Sequence, residues 1–302
     1  MLLERCLHHF FSGLAKASQK WSEKQGVLDV LEEAIQRLTP IQVENVTSSC
    51  RTDSGVHALV NTIHVDLERP SHKQPFTPHS LVRGINRELV GEDVRCVQWV
   101  IKACKVQDTF HARHNVVRRD YLYRVVLGCE YPKEMPLFEE NRSYAIRESR
   151  LDIQKMEEAS RLFIGLHDFA SFRNLRHDFK DQYTKREMYS VSIYHPCSHH
   201  DNYLLHPFSC RYLYLEFSAR SYLYRQIRRM VGVLLAVGRG RLTPSDVQDI
   251  LQSRDNANLR GTKPAPAGGL YLKDVIYDEK DLQYNSNEKD VEEGGDDSKC
   301  VR

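Results

Sequence analysis

Strand and helix patterns follow one another along this chain without a regular alternation, and that order limits the folds open to it. Runs of strand-forming residues lie at 43–46, 59–67, 94–102, 120–127, 191–194, 212–218 and 270–277. Amphipathic helical patterns lie at 26–38, 78–89, 151–164, 222–237 and 243–252. A parallel sheet needs a long crossover, usually a helix, between successive strands, whereas antiparallel strands can follow directly. The order therefore predicts an α+β fold with a largely antiparallel sheet.

Composition is typical of a globular protein. The 302 residues are 41% hydrophobic and 28% charged, which allows a sizeable core. No apolar run reaches the 18 or so residues that a membrane span needs, so we expect no membrane association. Eight cysteines occur without a C-x-x-C pair, and the first seven residues are too short and too charged for a signal peptide. We therefore expect an intracellular protein with reduced thiols.

The net charge of +2 hides an asymmetry between the body of the chain and its end. Residues 278–302 contain nine acidic and four basic side chains, a net charge of −5, so the preceding residues carry +7. A basic body suits a domain that binds a polyanion, although many proteins share this surplus. The acidic end, with its Gly and Asn residues, predicts a disordered tail.

The segment Arg51-Thr52-Asp53-Ser54-Gly55-Val56-His57-Ala58 places one carboxylate beside one guanidinium between two predicted strands. Ser54-Gly55 is typical of a turn, since glycine tolerates backbone angles that other residues avoid. A loop held between two strands can orient its side chains reproducibly, as functional loops do. The alternative interpretation is an Arg–Asp ion pair that merely staples the turn.

Five further segments accompany this loop in a fixed order. They are Phe110-His111-Ala112-Arg113, Tyr121-Leu122-Tyr123, the run from Gly165 to Phe172, the run from Tyr224 to Gly232, and Gly269-Leu270-Tyr271-Leu272. Taken together, the six segments resemble the TruA-type tRNA pseudouridine synthases. The resemblance extends from about residue 11 to residue 277, and six landmarks in order are more specific than any one motif.

The resemblance implies an architecture as well as an activity. It implies two ferredoxin/RRM-like halves that form a largely antiparallel sheet, with helices on one side and a central RNA-binding cleft. We place the N-terminal half, with the aspartate loop, at residues 1–113, the C-terminal half at 114–277, and the acidic disordered tail at 278–302. By the same likeness the protein is a homodimer that acts on tRNA, on a uridine in a structured stem-loop.

Pseudouridine formation breaks the bond between uracil N1 and ribose C1′, turns the base, and joins C5 to the same carbon. No redox change or added group is involved, so no cofactor is expected. The resemblance implies that Asp53 is the essential carboxylate. It could attack C1′ or remove the 2′ proton to give a glycal, and the sequence leaves both routes open.

The resemblance also assigns the residues around that carboxylate. Arg228 is implied as the cation that keeps it ionised, and Tyr121 as the platform for the uracil. Arg51 could fill the space left when the base is extruded. Leu270 and Leu272 would wall the pocket. Without the resemblance, these residues would be a basic helix face, a strand aromatic and ordinary core leucines.

Phosphate contacts are expected from basic side chains near the Tyr121 strand and in a later loop. The predicted RNA-backbone contacts are Arg113, Arg118, Arg119, Arg173 and Arg186, accompanied in the loop by Arg176, Lys180 and Lys185. For any one of these residues, a solvated charged surface is the competing interpretation.

The N-terminus departs from the family pattern. The family opens with an apolar strand before a Phe-x-Gly segment, here Phe11-Ser12-Gly13. The preceding residues, Leu2, Leu3, Cys6 and Leu7, have a spacing closer to helical than to alternating. We therefore expect the first central strand to be either absent, as in a truncated or alternatively spliced form, or poorly replaced by the N-terminus. Losing this strand would expose two backbone edges and weaken the N-terminal half.

Two sequence features point elsewhere, and only weakly. The run His195-Pro196-Cys197-Ser198-His199-His200 has metal-ligand residue types but no spaced second pair, so no metal site is predicted. An aspartate-dependent glycosidase would need a second carboxylate at a defined separation. Asp168 is the one carboxylate near a motif, and its setting in the family is structural.

The resulting hypothesis is a cofactor-free isomerase that converts uridine to pseudouridine in tRNA. The alternative is a catalytically impaired RNA-binding protein, a truncated form of the same family in which the lost strand has abolished catalysis. We expect the protein in mitochondria or the cytoplasm, with a slight preference for mitochondria.

Overall fold

The computed structural model describes residues 2–6, 26–40, 42–90, 98–130, 135–174, 183–195, 211–255 and 259–284, with backbone alone for 2–6, 98 and 137. The chain forms two compact units. Unit 1 comprises Met1–Val117 and Leu272–Arg302, and unit 2 comprises Arg118–Tyr271. The sequence predicted a boundary between the two halves after residue 113, with residues 272–277 in the C-terminal half. In the structure, residues 272–277 belong to unit 1.

Unit 1 contains antiparallel strands and three described helices. In chain order its elements up to residue 103 are β1 (Leu2–Cys6), α1 (Val27–Gln36), β2 (Gln42–Ser48), β3 (His57–Glu68), α2 (Pro78–Val90) and β4 (Gln98–Ala103). Strand β1 lies between β4 and β3, and β2 also pairs with β3. All these pairings are antiparallel, as the sequence predicts.

Strand β1 contradicts the expectation that the first strand is absent and agrees with its alternative, a strand formed by the N-terminal residues. Leu2 pairs with Ile63 of β3 on one side and with Ala103 of β4 on the other, and both ladders continue to Cys6. Each ladder contains one register irregularity. A central strand needs backbone partners on both edges. The five residues of β1 pair through their backbone groups on both edges, although their sequence does not alternate between apolar and polar residues. The segment 11–13 lies outside the described residues.

The core of unit 1 forms between its helices and the sheet. Helix α1 contributes Val27, Leu28, Val30, Leu31, Ala34 and Ile35, and it meets Ile85 and Leu89 of α2 with Ile63, Val100 and Ala103 of the strands. Each fully buried Leu or Ile stabilises the fold by roughly 1.5–3 kcal/mol. The helix ends at Gln36, and Thr39 has a positive φ of 58°. The predicted amphipathic face is therefore the face that is buried.

Asn86 of α2 protects the backbone of β4. Its Nδ2 donates to the carbonyl oxygen of Val100 at 2.8 Å, and its Oδ1 accepts from the Val100 amide at 2.8 Å. A residue in an antiparallel strand directs its N–H and C=O to the same side, so Asn86 satisfies both polar groups of Val100 at once. The amide side chain thus replaces a neighbouring strand at this point.

Unit 2 contains mainly antiparallel strands and three helices. Its elements are β5 (Val116–Leu127, the first two residues in unit 1), β6 (Tyr144–Ile146), α3 (Ile153–Arg161), β7 (Gly165–Asp168), β8 (Lys185–Tyr194), β9 (Arg211–Ala219), α4 (Gln226–Gly238) and α5 (Pro244–Ser253). The strands run in the order β5-β9-β8-β7, all antiparallel, and β6 pairs with β5 in parallel. Strands β6 and β7 were not predicted.

Strand β10 (Leu270–Tyr277) begins in unit 2 and continues into unit 1, where α6 (Glu279–Leu282) follows it. Helix α6 contradicts the predicted disordered tail over its own length. Asn115 Nδ2 donates to Asp281 Oδ2 at 3.0 Å, which ties the helix to the body of unit 1. Residues 285–302, the rest of the predicted tail, lie outside the described residues.

Across the described helices, none has both the length and the apolar composition of a membrane span.

Replacing Asn86 with alanine should destabilise the protein by about 2–3 kcal/mol, because the Val100 amide and carbonyl lose their partner in a buried setting. Urea unfolding followed by circular dichroism measures the free energy. The control is Gln42→Ala, which removes an exposed side chain that donates to Glu44. A loss of stability below about 0.5 kcal/mol for the Asn86 variant would contradict the role of Asn86 as the hydrogen-bond partner of the Val100 backbone.

Candidate active site

The Asp53 turn connects β2 to β3 in unit 1. The Val56 amide donates to the Asp53 carbonyl oxygen at 3.1 Å, and Gly55 has a φ of 78°, a value that side-chain-bearing residues seldom adopt. Thr52 and Val56 are buried on either side, whereas Asp53 is half-buried. The carboxylate therefore sits at the tip of a turn whose two ends are anchored in the protein.

Arg51 precedes this turn, and its side chain is exposed. The backbone of the turn and the buried residues that flank it hold the turn in place. The ion-pair interpretation of the Arg-x-Asp sequence stays an alternative to the functional one. Cys50 is a buried free thiol, a setting in which a cysteine is usually inert.

Tyr121, the predicted uracil platform, lies in β5 of unit 2 opposite Phe217 of β9. Its ring is 8% exposed and contacts the ring of Tyr222 edge-to-face, with 5.1 Å between the centroids. The Tyr222 hydroxyl donates to the Arg119 carbonyl oxygen at 3.1 Å, and burial raises the pKa of Tyr222. Tyr222 was not identified from the sequence, and it holds the Tyr121 ring from one side.

Arg228, the predicted partner of the carboxylate, is fixed within unit 2 by a reciprocal pair of bonds. Its Nε donates to the Ala265 carbonyl oxygen at 2.7 Å, and the Ala265 amide donates to the Arg228 carbonyl oxygen at 2.8 Å. One turn later, a Cβ on Gly232 would lie 2.2 Å from the Lys263 carbonyl oxygen. Only glycine lets α4 approach this segment so closely, and the approach sets the position of Arg228.

The same segment is held from β5. The Tyr123 hydroxyl donates to the Pro266 carbonyl oxygen at 2.8 Å, and burial raises the pKa of Tyr123, which keeps the phenol a donor. A Cβ on Gly269 would lie 2.7 Å from the Tyr123 ring. Leu270 in unit 2 and Leu272 in unit 1 are both buried, at 6% and 0% exposure. Their burial is as expected for core residues, so their role as pocket walls stays a prediction.

The predicted RNA-backbone residues differ in exposure. Arg113 and Arg118 are exposed, and Arg118 pairs with Asp120 at 3.1 Å. Arg173 and Arg186 are half-buried. Arg186 donates to the Tyr183 and Lys185 carbonyl oxygens, and burial lowers its pKa. Arg176 and Lys180 lie outside the described residues.

Arg119 is the exception among them. It is 8% exposed, and its guanidinium donates to the Arg220 carbonyl oxygen. Burial of this kind fits a structural role near the start of β5, and the phosphate contact predicted from the sequence stays a prediction. Strand alternation explains the difference, because adjacent residues such as Arg118 and Arg119 face opposite sides of a sheet.

Comparison with known proteins supports one family. The family model for tRNA pseudouridine synthase matches residues 159–278. A tRNA pseudouridine synthase-like 1 protein of Xenopus laevis is 41% identical over 267 residues, which cover 87% of this chain and 86% of the relative. The Homo sapiens protein of that name is 39% identical over 270 residues, covering 88% and 86%. The chain belongs to the tRNA pseudouridine synthase family.

Bacterial members are similar over most of the chain as well. A tRNA pseudouridine synthase A of Caulobacter sp. (strain K31) is 32% identical over 260 residues, covering 86% of this chain and 92% of the relative. The family, an isomerase family, is therefore the one that the six sequence landmarks indicated. The α+β fold with its mostly antiparallel sheet is consistent with that family.

A structural role for Asp168 agrees with its setting in the family. Its Oδ1 accepts from the Ala170 amide at 3.1 Å and from the Thr184 hydroxyl, and its Oδ2 lies 3.6 Å from Arg254 Nε. The carboxylate therefore holds the segment after β7 in place.

Among the described residues, no cluster of three His, Cys, Asp or Glu side chains could hold a metal ion. Of the His195–His200 run, only His195 is described, and its Nδ1 is 2.7 Å from the Tyr212 carbonyl oxygen.

Three histidine rings lie close together at the Phe110–Arg113 landmark in unit 1, and they are tilted relative to one another. The His111 ring lies between those of His64 and His114, with centroid distances of 4.8 and 4.1 Å. His64 Nδ1 accepts from the Ala112 amide at 3.0 Å. Burial lowers the pKa of His64 and of His111, and each is lowered further by its neighbouring histidine.

Replacing Gly232 with alanine should cost about 1–3 kcal/mol of stability and displace Arg228, because the new methyl group overlaps the Lys263 carbonyl. Thermal unfolding measures the stability. The matched control is Gly84→Ala in α2, where the nearest atom, at 3.0 Å, belongs to the Leu38 side chain, which can move. That variant should be neutral or slightly stabilising, as expected for alanine in a helix. Equal losses for the two variants would contradict the close approach at Gly232.

Unit 1 should lose stability as the pH falls below about 6.5, the ordinary pKa of histidine. The folded state binds fewer protons than the unfolded state because the pKa of His64 is lowered, so protonation favours unfolding. Asp66, which raises the pKa of His64, reduces the effect without reversing it. His64→Gln should flatten the pH dependence of urea unfolding between pH 7 and 5, and replacing the exposed His79 with glutamine should not. An unchanged slope in the His64 variant would refute this assignment.

Proposed function

We propose that the protein converts uridine to pseudouridine in tRNA and that Asp53 carries the reaction. Family membership over most of the chain supports the reaction class. The half-buried carboxylate at the tip of the turn, anchored by buried residues on both sides, is the observation that supports Asp53. A nucleophile or base of this kind must keep a fixed position while its target enters.

The reaction needs a balanced exchange of bonds within one nucleotide. The N1–C1′ bond breaks, the C5–C1′ bond forms, the proton leaves C5, and N1 of the isomerised base ends protonated. Asp53 can take part by attack on C1′ or by removal of the 2′ proton. Either route keeps all atoms of the nucleotide except exchangeable hydrogen, so the reaction requires no cofactor or metal.

Arg51 suits the extrusion of the target base. Its exposed guanidinium, two residues from Asp53, can stack on neighbouring bases and bond a phosphate. A base in a stem-loop must leave its stack before its C1′ atom can be reached, and a planar cation can occupy the space that it leaves. For Tyr121, Arg228, Leu270 and Leu272, we propose the roles that the family resemblance gives: uracil platform, cationic partner and pocket walls.

The partners follow from the same proposal. Arg113, Arg118, Arg173 and Arg186 would contact RNA phosphates, and binding should weaken as salt increases. We also propose that the protein acts on tRNA as a homodimer and that it is located inside the cell, by preference in mitochondria. The competing hypothesis is a catalytically impaired RNA-binding protein, in which a damaged N-terminus has abolished catalysis. The pairing of β1 with β3 supports the first hypothesis over this one.

Asp53→Asn should abolish pseudouridine formation while leaving RNA affinity within about twofold, because the amide keeps the shape but cannot act as nucleophile or base. Tritium release from tRNA labelled at uracil C5 measures the reaction, and filter binding measures the affinity. The control Glu68→Gln neutralises an exposed carboxylate on β3 and should leave both unchanged.

The results separate the possibilities. Release by wild type that persists in the Asp53 variant would remove the aspartate from the mechanism. A folded, RNA-binding wild type that releases no tritium from any tRNA would overturn the proposed activity and favour the RNA-binding alternative.

A further inference from the structure

A buried polar bond lies at the base of the Asp53 turn. Ser49 Oγ donates to Asn61 Oδ1 at 2.6 Å, and both residues are fully buried. The Ser49 amide also donates to the Thr62 carbonyl oxygen at 2.7 Å, which extends the β2–β3 pairing by one residue. Side chain and backbone of Ser49 are thus both fixed to β3, four residues before Asp53.

The amide of Asn61 has one orientation that fits its surroundings. Its Oδ1 accepts from Ser49 Oγ and from the Thr62 amide, the latter at 2.9 Å. The reverse orientation would direct an N–H group at the Thr62 donor. In the observed orientation Nδ2 is buried without a hydrogen-bond partner among the described residues. A buried unsatisfied donor is unfavourable, so the acceptor oxygen is what this side chain contributes.

The chain is held on both sides of the carboxylate. Before it, Ser48 Oγ donates to the Cys50 carbonyl oxygen at 3.0 Å, which continues the constraint from Ser49 towards the turn. After it, Val56 closes the turn and is buried. Removing the Ser49–Asn61 bond would leave the second anchor intact and loosen the first.

We propose that Ser49 and Asn61 are positioning residues for Asp53, acting through the base of the turn and not by contact with substrate. The inference rests on the proposed function, since it assigns them to the reaction of Asp53. Misplacement of a reacting group by about 1 Å can lower a rate about a hundredfold. The bond should therefore affect the chemical step and leave RNA binding unaltered.

The competing interpretation is that the bond only stabilises the fold, and Asn86 is the matched control. Asn86 is also a buried amide in unit 1 that makes two hydrogen bonds, but it acts on β4 and not on the turn. Asn86→Ala should lower stability at least as much as Ser49→Ala. Below the unfolding range, it should leave the turn and the rate unchanged.

The test compares Ser49→Ala, Ser49→Thr and Asn86→Ala in three measurements. Hydrogen exchange of the Val56 amide reports the closure of the turn without requiring activity. Single-turnover tritium release with saturating tRNA reports the chemical step, and filter binding reports affinity. Ser49→Cys, which keeps the volume and weakens the donor, replaces the alanine variant if that variant does not fold.

We expect Ser49→Ala to speed Val56 exchange and slow the chemical step, each about tenfold, with RNA affinity unchanged. Ser49→Thr, which keeps the hydroxyl, should restore both, and Asn86→Ala should change neither. Unchanged exchange and rate in Ser49→Ala would overturn the positioning role, as would equal effects from Asn86→Ala. If exchange responds as expected but wild type releases no tritium, the proposed activity fails while the control of the turn by Ser49 stands.

Discussion

The pairing of β3 with β1 and β2 is the constraint on which unit 1 depends. The ladder that β3 forms with β1 and the ladder that it forms with β2 each contain an irregularity that shifts the register by one residue. In β2 the shift coincides with Asn45, which has a positive φ of 55° and donates to Asp66 Oδ2 at 2.6 Å. A one-residue slip would exchange the buried and exposed faces of the strand, so the register determines where the Asp53 turn begins and ends.

Elements with a strong periodic pattern could be predicted from the sequence. Strand β10 has the predicted bounds, α1 was predicted three residues too long, and α5 begins with the predicted Thr243 cap, whose Oγ1 accepts from Asp246 N at 3.2 Å. Strands β1, β6 and β7 could not be predicted, because they are three to five residues long and derive their stability from backbone pairing. Side-chain periodicity carries no signal of a partner elsewhere in the chain.

Some features of the candidate site could also be predicted from the sequence, and others could not. The turn around Asp53 could be predicted because Ser54-Gly55 has local turn chemistry that tertiary structure did not override. The anchoring of Arg228 could not, since it depends on the Ala265 backbone, which the sequence does not relate to α4. The helical Gly232 was a signal in the sequence: a glycine inside a helix is unfavourable unless something approaches closely, as Lys263 does here.

The chain leaves unit 1 within β5 and re-enters it within β10, so unit 2 is a continuous insertion and unit 1 is assembled from both ends of the chain. Its closing contacts come late in the sequence. The Tyr277 hydroxyl donates to the Ala112 carbonyl oxygen at 2.6 Å, and the Tyr277 ring packs 5.2 Å from that of Phe110. During synthesis, unit 2 can fold as soon as it leaves the ribosome, whereas unit 1 and its aspartate turn must wait for the last strand. A chain that ended after Tyr271 would therefore contain all of unit 2 but lack the strand that closes unit 1.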